Sequence, residues 1–133
     1  MRWPWVIQAV WGLPQTLVGA AITITCRQSA PKTFRGVIVH EWGLASGLSL
    51  GLFVLVPKGC PRQLLVHEYG HSVQSMLLGP LYLPVVVLPS LVWAGVPALA
   101  RWRRRRNVSY YDMPIEHWAS SLGERVCGEP AFW

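Results

Sequence analysis

The chain has 133 residues, of which 52% are hydrophobic and only 14% are charged, and its mean hydropathy is +0.31. A typical soluble domain is about 25% charged, and a disordered chain is far less apolar than this one. The composition therefore excludes disorder and argues against a lone water-soluble monomer. At this length we expect one small unit over residues 1–133, either an integral membrane protein or a small subunit of a membrane assembly.

Positive charge is concentrated in one short run. The formal net charge is +6, and five arginines lie within 101–106, around Trp102 and directly after a long apolar stretch. Such a run is typical of nucleic-acid binding, of contact with anionic lipid, or of a membrane topology signal. Its position favours the topology signal, with lipid headgroup contact, on the cytoplasmic side of a bacterial inner membrane. No recognisable nucleic-acid-binding module accompanies it, so we expect no nucleic-acid partner.

The first apolar stretch begins near the N-terminus. Residues 3–25 contain no charge, and 23 residues are enough for a helix that spans a bilayer. A cleaved signal peptide is the alternative, but a single arginine precedes the stretch and its apolar core is longer than usual. We therefore predict an uncleaved membrane anchor helix over 3–25.

The second apolar stretch is shorter. Residues 34–40 and 48–56 are rich in Val, Leu and Phe and are separated by glycines, a pattern that predicts a short β-hairpin over 34–56. A short or re-entrant helix over 43–56 is the alternative that the same residues allow.

A helix is predicted over 62–78. It follows a breaker cluster at 57–61 that contains two prolines, and it ends at the pair Gly79-Pro80.

The C-terminal half adds two more elements. Residues 81–100 contain no charge, which makes this a second spanning candidate, but prolines at 84, 89 and 97 predict a kinked or broken segment that spans or re-enters the membrane. An amphipathic helix is predicted over 112–126. The expected fold is thus a mainly α membrane protein with two or three membrane-embedded helical segments, a short β-hairpin and a C-terminal amphipathic helix.

The chemistry of the chain is concentrated in one motif on the predicted helix 62–78. His67, Glu68 and His71 form an H-E-x-x-H sequence. Residues four apart lie on one face of a helix, so both imidazoles can bind one Zn²⁺ ion. Glu68 then stands next to a ligand without being one, and it can take a proton from water that the metal activates.

A catalytic zinc ion needs a third protein ligand. The extended pattern H-E-x-x-H-x-x-G-x-x-H is absent, because Gln74 and Leu77 occupy the places of its glycine and last histidine. The remaining candidates are acidic, imidazole or thiol side chains on either side of the motif: His40, Glu41, Cys60, Asp112, Glu116, His117, Glu124 and Glu129.

The arrangement resembles that of the gluzincin metallopeptidases, in which a glutamate on a second helix completes the zinc site. Glu116 opens a sequence that fits the E-x-x-A form of this pattern, and Ser120 stands where an aspartate could orient the first histidine. The resemblance implies Glu116 as the third ligand. His117, which follows it, is the alternative that ligand chemistry allows. Residues 46–123 also resemble small uncharacterised bacterial membrane proteins that contain the same H-E-Y-G-H sequence, and this likeness brings no assigned substrate. The Asp-Gly motif of site-2 intramembrane proteases is missing.

Three further residues are candidates for supporting roles. Gln74 lies one turn beyond His71 and can hydrogen-bond either to a zinc ligand or to another helix. Tyr110 and Tyr111 can donate to an oxyanion, or they can anchor the chain at a membrane interface.

The sequence thus predicts a membrane-embedded zinc metallopeptidase in which Glu68 is the general base. The expected partners are the lipid bilayer, a peptide or membrane-protein substrate that adds to the edge of the strand pair, and a second copy or a partner subunit. The alternative is a non-catalytic membrane subunit or adaptor with a structural or lost zinc site.

Overall fold

A computed structural model describes residues 6, 10–26, 32–43 and 47–131. Over these residues the chain is an α/β protein with five α-helices and a four-stranded mixed sheet. The strands are β1 (Lys32–Phe34), β2 (Val37–Trp42), β3 (Leu48–Leu50) and β4 (Phe53–Pro57), and the helices are α1 (Leu13–Cys26), α2 (Arg62–Leu78), α3 (Leu88–Gly95), α4 (Pro97–Arg106) and α5 (Pro114–Cys127). Short 3-10 turns at Gly79–Leu81 and Tyr110–Asp112 and a π-helical segment at Leu83–Val87 connect them.

The sheet consists of two hairpins side by side, in the order β1-β2-β4-β3. β1 pairs with β2 and β3 pairs with β4, both antiparallel, while the central strands β2 and β4 pair in parallel, with Val39 opposite Val54. Each hairpin turns at a glycine with positive φ, Gly36 at 92° and Gly51 at 62°, a conformation that glycine adopts without steric cost.

The single hairpin predicted over 34–56 is therefore wrong. Each expected strand contains part of a real one, β2 and β4, but these two lie parallel, and each has its own antiparallel neighbour. The helix considered for 43–56 is absent from the described part of that segment, which contains β3 and β4. The Gly51 turn divides the predicted strand 48–56 into two and creates the extra hairpin.

The main core lies between the sheet and α2. Alternate residues of the central strands point to one face, and Val37, Val39, Val54 and Val56 are all buried there. Val66 and Tyr69 of α2 pack onto this layer, the ring of Tyr69 edge-on to Phe34 at a centroid distance of 5.8 Å. Helix α2 occupies the bounds that the sequence pattern predicts.

Helix α1 is joined to α2 and to the sheet by polar contacts. The amide nitrogen of Gln15 is buried and donates to the hydroxyl of Ser75 (2.8 Å) and to the carbonyl oxygen of Gly79 (2.9 Å). The hydroxyl of Thr16 accepts from the backbone N–H of Leu52 at 3.1 Å. The apolar N-terminal segment therefore packs, in part, against the rest of the protein.

The prediction of a mainly α membrane protein is wrong. Helix α1 has 14 residues, and residues 3–5 and 7–9 of the predicted anchor lie outside the described chain. The predicted segment 81–100 breaks once, at Val96, whose extended backbone is typical of a residue before proline, and the helical parts on either side are bent by 73°.

No single helix in the described residues is both long and apolar enough to cross a membrane; only the bent pair Leu83–Gly95 and Pro97–Arg106 has the length and composition to do so. Most apolar side chains of the sheet are buried in the core, whereas α1 and the segment 81–96 expose large apolar side chains such as Leu17, Leu88 and Leu91. Bilayer contact and a cytoplasmic arginine run at 101–106 stay predictions.

Candidate metal centre

Two helices far apart in sequence form the centre where they cross. α2 carries the H-E-x-x-H motif, and α5 packs directly against it. Gly70 on α2 and Gly123 on α5 each face the backbone of the other helix, at Ala119 and Val66 respectively. Because neither glycine has a side chain, the two backbones touch, and the first turn of α5 reaches the motif.

The crossing brings three potential ligand atoms together. The Nε2 atoms of His67 and His71 each lie 2.9 Å from the same carboxylate oxygen, Oε2 of Glu116. All three residues are buried, and their ligand atoms lie within 4.8 Å of one another. This group is able to hold a metal ion. The sequence-based choice of Glu116 as the group that joins the two histidines agrees with this placement.

The other ring nitrogen of each histidine is anchored by a neighbour. Nδ1 of His71 lies 2.7 Å from Oε1 of Gln74, whose amide nitrogen donates to the carbonyl oxygen of Ile115 at 3.0 Å. This second bond fixes the amide so that its oxygen faces the ring, and Nδ1 of His71 must donate. Nδ1 of His67 lies 2.8 Å from the hydroxyl of Ser120. Such contacts hold a ring so that its Nε2 atom faces a metal.

The electrostatics of the group favour an ionised carboxylate. Burial opposes ionisation of Glu116, but hydrogen bonds from His67 and His71 outweigh it and hold the pKa of Glu116 well below its usual range. Burial likewise opposes a charge on His71, yet its hydrogen bond to Glu116 and the nearby negative charge raise the pKa of His71 to about 9. A carboxylate that stays ionised is ready to bind a cation.

Glu68 stands apart from the three ligand atoms. Its carboxylate oxygen Oε2 is 2.7 Å from the hydroxyl of Ser49 on β3. Gly47 lies against the same carboxylate, since a Cβ atom built there would be 2.7 Å from Cδ of Glu68. Gly47, directly before edge strand β3, thus leaves room for the Glu68 side chain, and Ser49 within the strand orients it.

Tyrosines line the approach to the centre. The hydroxyl of Tyr110 donates to Oε1 of Glu116 at 3.2 Å, and the ring of Tyr111 lies edge-on to His67 at a centroid distance of 4.7 Å. Burial, together with the charges of Glu116 and Glu68, raises the pKa of Tyr110 far above its usual value and that of Tyr111 to about 12. Both hydroxyls therefore keep their protons at neutral pH.

Two cavities border the centre, with volumes of about 140 and 560 Å³. Glu68 and Tyr110 line both. The smaller cavity reaches His71 and Glu116 and is otherwise mostly apolar, with Val86, Val87 and Leu91 in its wall. The larger cavity reaches His67 and extends to the turn that follows β4. Glu68 therefore lies where the two cavities adjoin.

The other candidate ligands lie elsewhere. His117 is exposed on α5, so it does not face the two motif histidines although it follows Glu116. Cys60 lines the larger cavity but is not part of the ligand group. The remaining acidic candidates bond to the protein itself: Glu41 accepts from the N–H of Gly59, Asp112 from that of Ser109, Glu124 from that of Ala131, and Glu129 pairs with Arg62. His40 is buried within β2.

Sequence reasoning missed Ser49, Gly47 and Tyr82. The hydroxyl of Tyr82 donates to the carbonyl oxygen of Ser49 at 2.7 Å and so supports the strand that orients Glu68. These residues lie 14 to 21 positions from Glu68, in segments with no motif of their own. Tertiary contacts that the sequence does not reveal bring them to the site: β3 pairs with β4, and Tyr82, which follows the turn after α2, bonds to Ser49.

No family model, curated protein or solved structure matches this chain. The resemblance to gluzincins therefore depends on the residues named above.

Proposed function

We propose that this protein is a zinc-dependent metallopeptidase in which His67, His71 and Glu116 hold the metal and Glu68 is the general base. One observation carries the proposal. Two imidazole Nε2 atoms and a carboxylate oxygen converge at a buried point, while the acid next to the first ligand is held away from that point, at the junction of two cavities.

The donor set favours catalytic zinc over structural zinc. Structural sites are closed by four protein ligands, commonly cysteines, whereas catalytic sites have three and an open position. Within the described residues the group contains three His, Cys, Asp or Glu side chains, and Cys60 and His117 do not join it. The anchored Nδ1 atoms fit metal-binding histidines, and the adjoining cavities give a substrate access.

The residues of the site would divide the work of hydrolysis. When bound, zinc supplies Lewis acidity, which polarises a carbonyl group and makes a water molecule more acidic. Glu68 would accept a proton from the attacking water as the new C–O bond forms, and would pass it to the leaving nitrogen as the C–N bond breaks. The hydroxyl of Tyr110, which keeps its proton, would donate to the oxygen that becomes negative.

The surroundings suit an extended peptide. Glu68 and Gly47 line both cavities, and Gly47 directly precedes edge strand β3, so a path from one cavity to the other passes these two residues. A peptide lying along this path would contact an apolar wall on one side and a wider space on the other. The Ser49 carbonyl oxygen already accepts a hydrogen bond from Tyr82, so we expect side-chain pockets rather than long strand pairing to hold the substrate.

The test separates metal binding from catalysis. The full chain is loaded with zinc, its metal content is measured by mass spectrometry, and a peptide library is searched for cleavage products. We expect Glu68→Gln to retain one zinc ion and to lose cleavage, whereas Glu116→Gln should lose the metal. Glu129→Gln makes the same chemical change at a residue that pairs with Arg62, away from the centre, and should retain both properties.

The non-catalytic alternative gives a different result. A structural or adaptor role predicts that the parent and Glu68→Gln hold equal zinc and that neither cleaves any library peptide. A parent protein that binds no zinc at all would contradict the peptidase proposal and a structural zinc site, and would leave only an adaptor whose zinc site is lost.

A further inference from the structure

The charges around the larger cavity are unbalanced. Its wall contains two basic side chains, Lys58 and Arg103, and a single acid, Glu68, whose carboxylate faces Ser49. The described residues contain no carboxylate within ion-pair distance of either basic side chain. A metal ion at the centre would make this end of the site more positive still, and a cleft lined by one sign of charge attracts groups of the opposite sign.

Arg103 is held in place by aromatic rings. Its guanidinium carbon lies 4.7 Å from the ring centroid of Trp93 and 5.5 Å from that of Tyr110, and one nitrogen donates to the carbonyl oxygen of Trp93. Arginine has five N–H donors in a planar fork, so most are left for a ligand. A guanidinium stacked in this way loses little further freedom on binding.

The position of Arg103 relates it directly to the reaction centre. One face of the Tyr110 ring carries the guanidinium, while the hydroxyl of the same ring donates to Glu116. Lys58 approaches the cavity from another element, the exposed turn after β4, which the bond from Gly59 N–H to Glu41 holds. The two cations thus reach the cavity from separate parts of the fold.

We infer that the larger cavity binds a carboxylate of the substrate, with Arg103 as the principal contact and Lys58 as the second. This inference rests on the proposed function and adds a substrate class to it: peptides with an acidic side chain, or with a free C-terminal carboxylate, close to the bond that is cut. Arginine pairs with carboxylates through two parallel hydrogen bonds, so the recognition is geometric as well as electrostatic.

The test uses binding as well as cleavage. Zinc-loaded Glu68→Gln protein is titrated with fluorescent hexapeptides blocked at both ends, in which one Glu moves along an alanine sequence, each compared with its Gln counterpart. An all-alanine peptide with a free C-terminal acid, compared with its amide, forms a separate arm. We expect about tenfold tighter binding of the charged peptide at one position or in the terminal arm, the range of one charged hydrogen bond. The arm that responds identifies the source of the carboxylate.

Substitutions link the preference to the cavity. In zinc-loaded Glu68→Gln protein, adding Arg103→Gln or Lys58→Gln should reduce the ratio of the affinity for acidic peptides to that for neutral peptides. The effect of Arg103→Gln should be the larger. Arg105→Gln removes the same charge from an exposed position that does not line the cavity, and it should leave the ratio unchanged. If Arg103 has only a structural role, Arg103→Gln should weaken the binding of acidic and neutral peptides equally.

The outcomes are separable from those of the proposed function. Equal affinity for charged and neutral peptides in every arm, or no measurable binding of any acidic peptide, overturns the inference even if the parent cleaves peptides. If the parent protein cleaves nothing but the acidic preference depends on Arg103 and Lys58, the carboxylate site stands and the peptidase proposal fails.

Discussion

Gly70 lies against the backbone of Ala119 so closely that a Cβ atom at position 70 would sit 2.5 Å from the carbonyl carbon of Ala119. Gly123 has the mirror role on α5, where a Cβ atom would sit 3.0 Å from the carbonyl carbon of Val66. Along α5 both close approaches follow Glu116, at Ala119 and Gly123. They determine how near α5 comes to α2, and so whether Glu116 reaches the two histidines.

We expect Gly70→Ala to weaken both the fold and the metal site. Alanine is the better helix former by about 1 kcal/mol, so a helix free of contacts would gain stability. Here the new methyl group meets backbone, which cannot rotate away, and overpacking of this kind costs about 1–3 kcal/mol. The measurements are thermal unfolding and zinc affinity. Gly95→Ala serves as the control, because no heavy atom lies within 4 Å of the Cβ built there. A Gly70→Ala protein with unchanged zinc affinity would show that the close crossing is not needed.

The helix that carries His67 and His71 could be predicted from sequence. The approach of Glu116 to these histidines could be predicted only in outline. The motif spacing and the breakers around it place His67 and His71 on one face of a helix. Glu116 could be chosen only through a family resemblance. Nothing in a single sequence states that two glycines 53 positions apart will let the helices touch.

The fold itself was harder to predict, because an apolar run can form either a membrane segment or a buried strand of a sheet. A stretch such as 43–56 has the same composition whether it enters a bilayer or fills a sheet. Val39, Val54 and Val56 are buried against α2 rather than against lipid. The parallel pairing of β2 with β4 depends on contacts between strands that follow separate hairpins, and residue periodicity carries no information about that pairing.

Replacing Gln74 with leucine should weaken zinc binding without removing it. The substitution keeps the volume of the side chain but leaves Nδ1 of His71 and the carbonyl oxygen of Ile115 without their bonds to the amide. Loss of a group that orients a metal ligand typically costs about 10–100-fold in affinity. Competition with a chromogenic chelator measures the change. Gln63→Leu makes the same substitution at an exposed position of the same helix and should have no effect; an equal loss there would mean that the cause is not the His71 contact.

The affinity of the protein for zinc should rise between about pH 7 and pH 8. In the metal-free protein the pKa of His71 is raised to about 9, so its ring carries a proton that zinc must displace. Each pH unit below that pKa then weakens binding about tenfold, whereas a histidine with an ordinary pKa near 6.5 would give a plateau above about pH 7. Chelator competition at the two pH values measures the change. Calorimetry in buffers of different ionisation enthalpy counts the released protons. Equal affinity at both pH values, with no proton released, would contradict this prediction.

For the same metal-free protein, the raised pKa has a consequence for stability. A group whose folded pKa lies above its unfolded value stabilises the fold fully below the unfolded pKa, and this contribution is lost as the pH rises through the folded pKa. The His71 contribution should therefore decline between about pH 6.5 and pH 9. Unfolding in urea across this window, with a chelator present, should show a falling free energy of unfolding. Glu116→Gln should flatten the pH dependence, because it removes the charge that raises the pKa of His71.

Tyr110→Phe and Tyr111→Phe should differ in their effect on cleavage. Both variants keep the aromatic ring, so both should hold zinc. Tyr110 donates to Glu116 and lines both cavities, whereas Tyr111 contacts His67 through its ring and lines only the larger one. If Tyr110 stabilises the developing negative charge, its loss lowers kcat by on the order of a hundredfold with little change in KM. Tyr111→Phe should change kcat much less, because its ring contact is preserved. Equal kcat values for the parent and Tyr110→Phe, on a peptide that the parent cleaves, would remove Tyr110 from the mechanism and leave it a role only in placing Arg103 and Glu116.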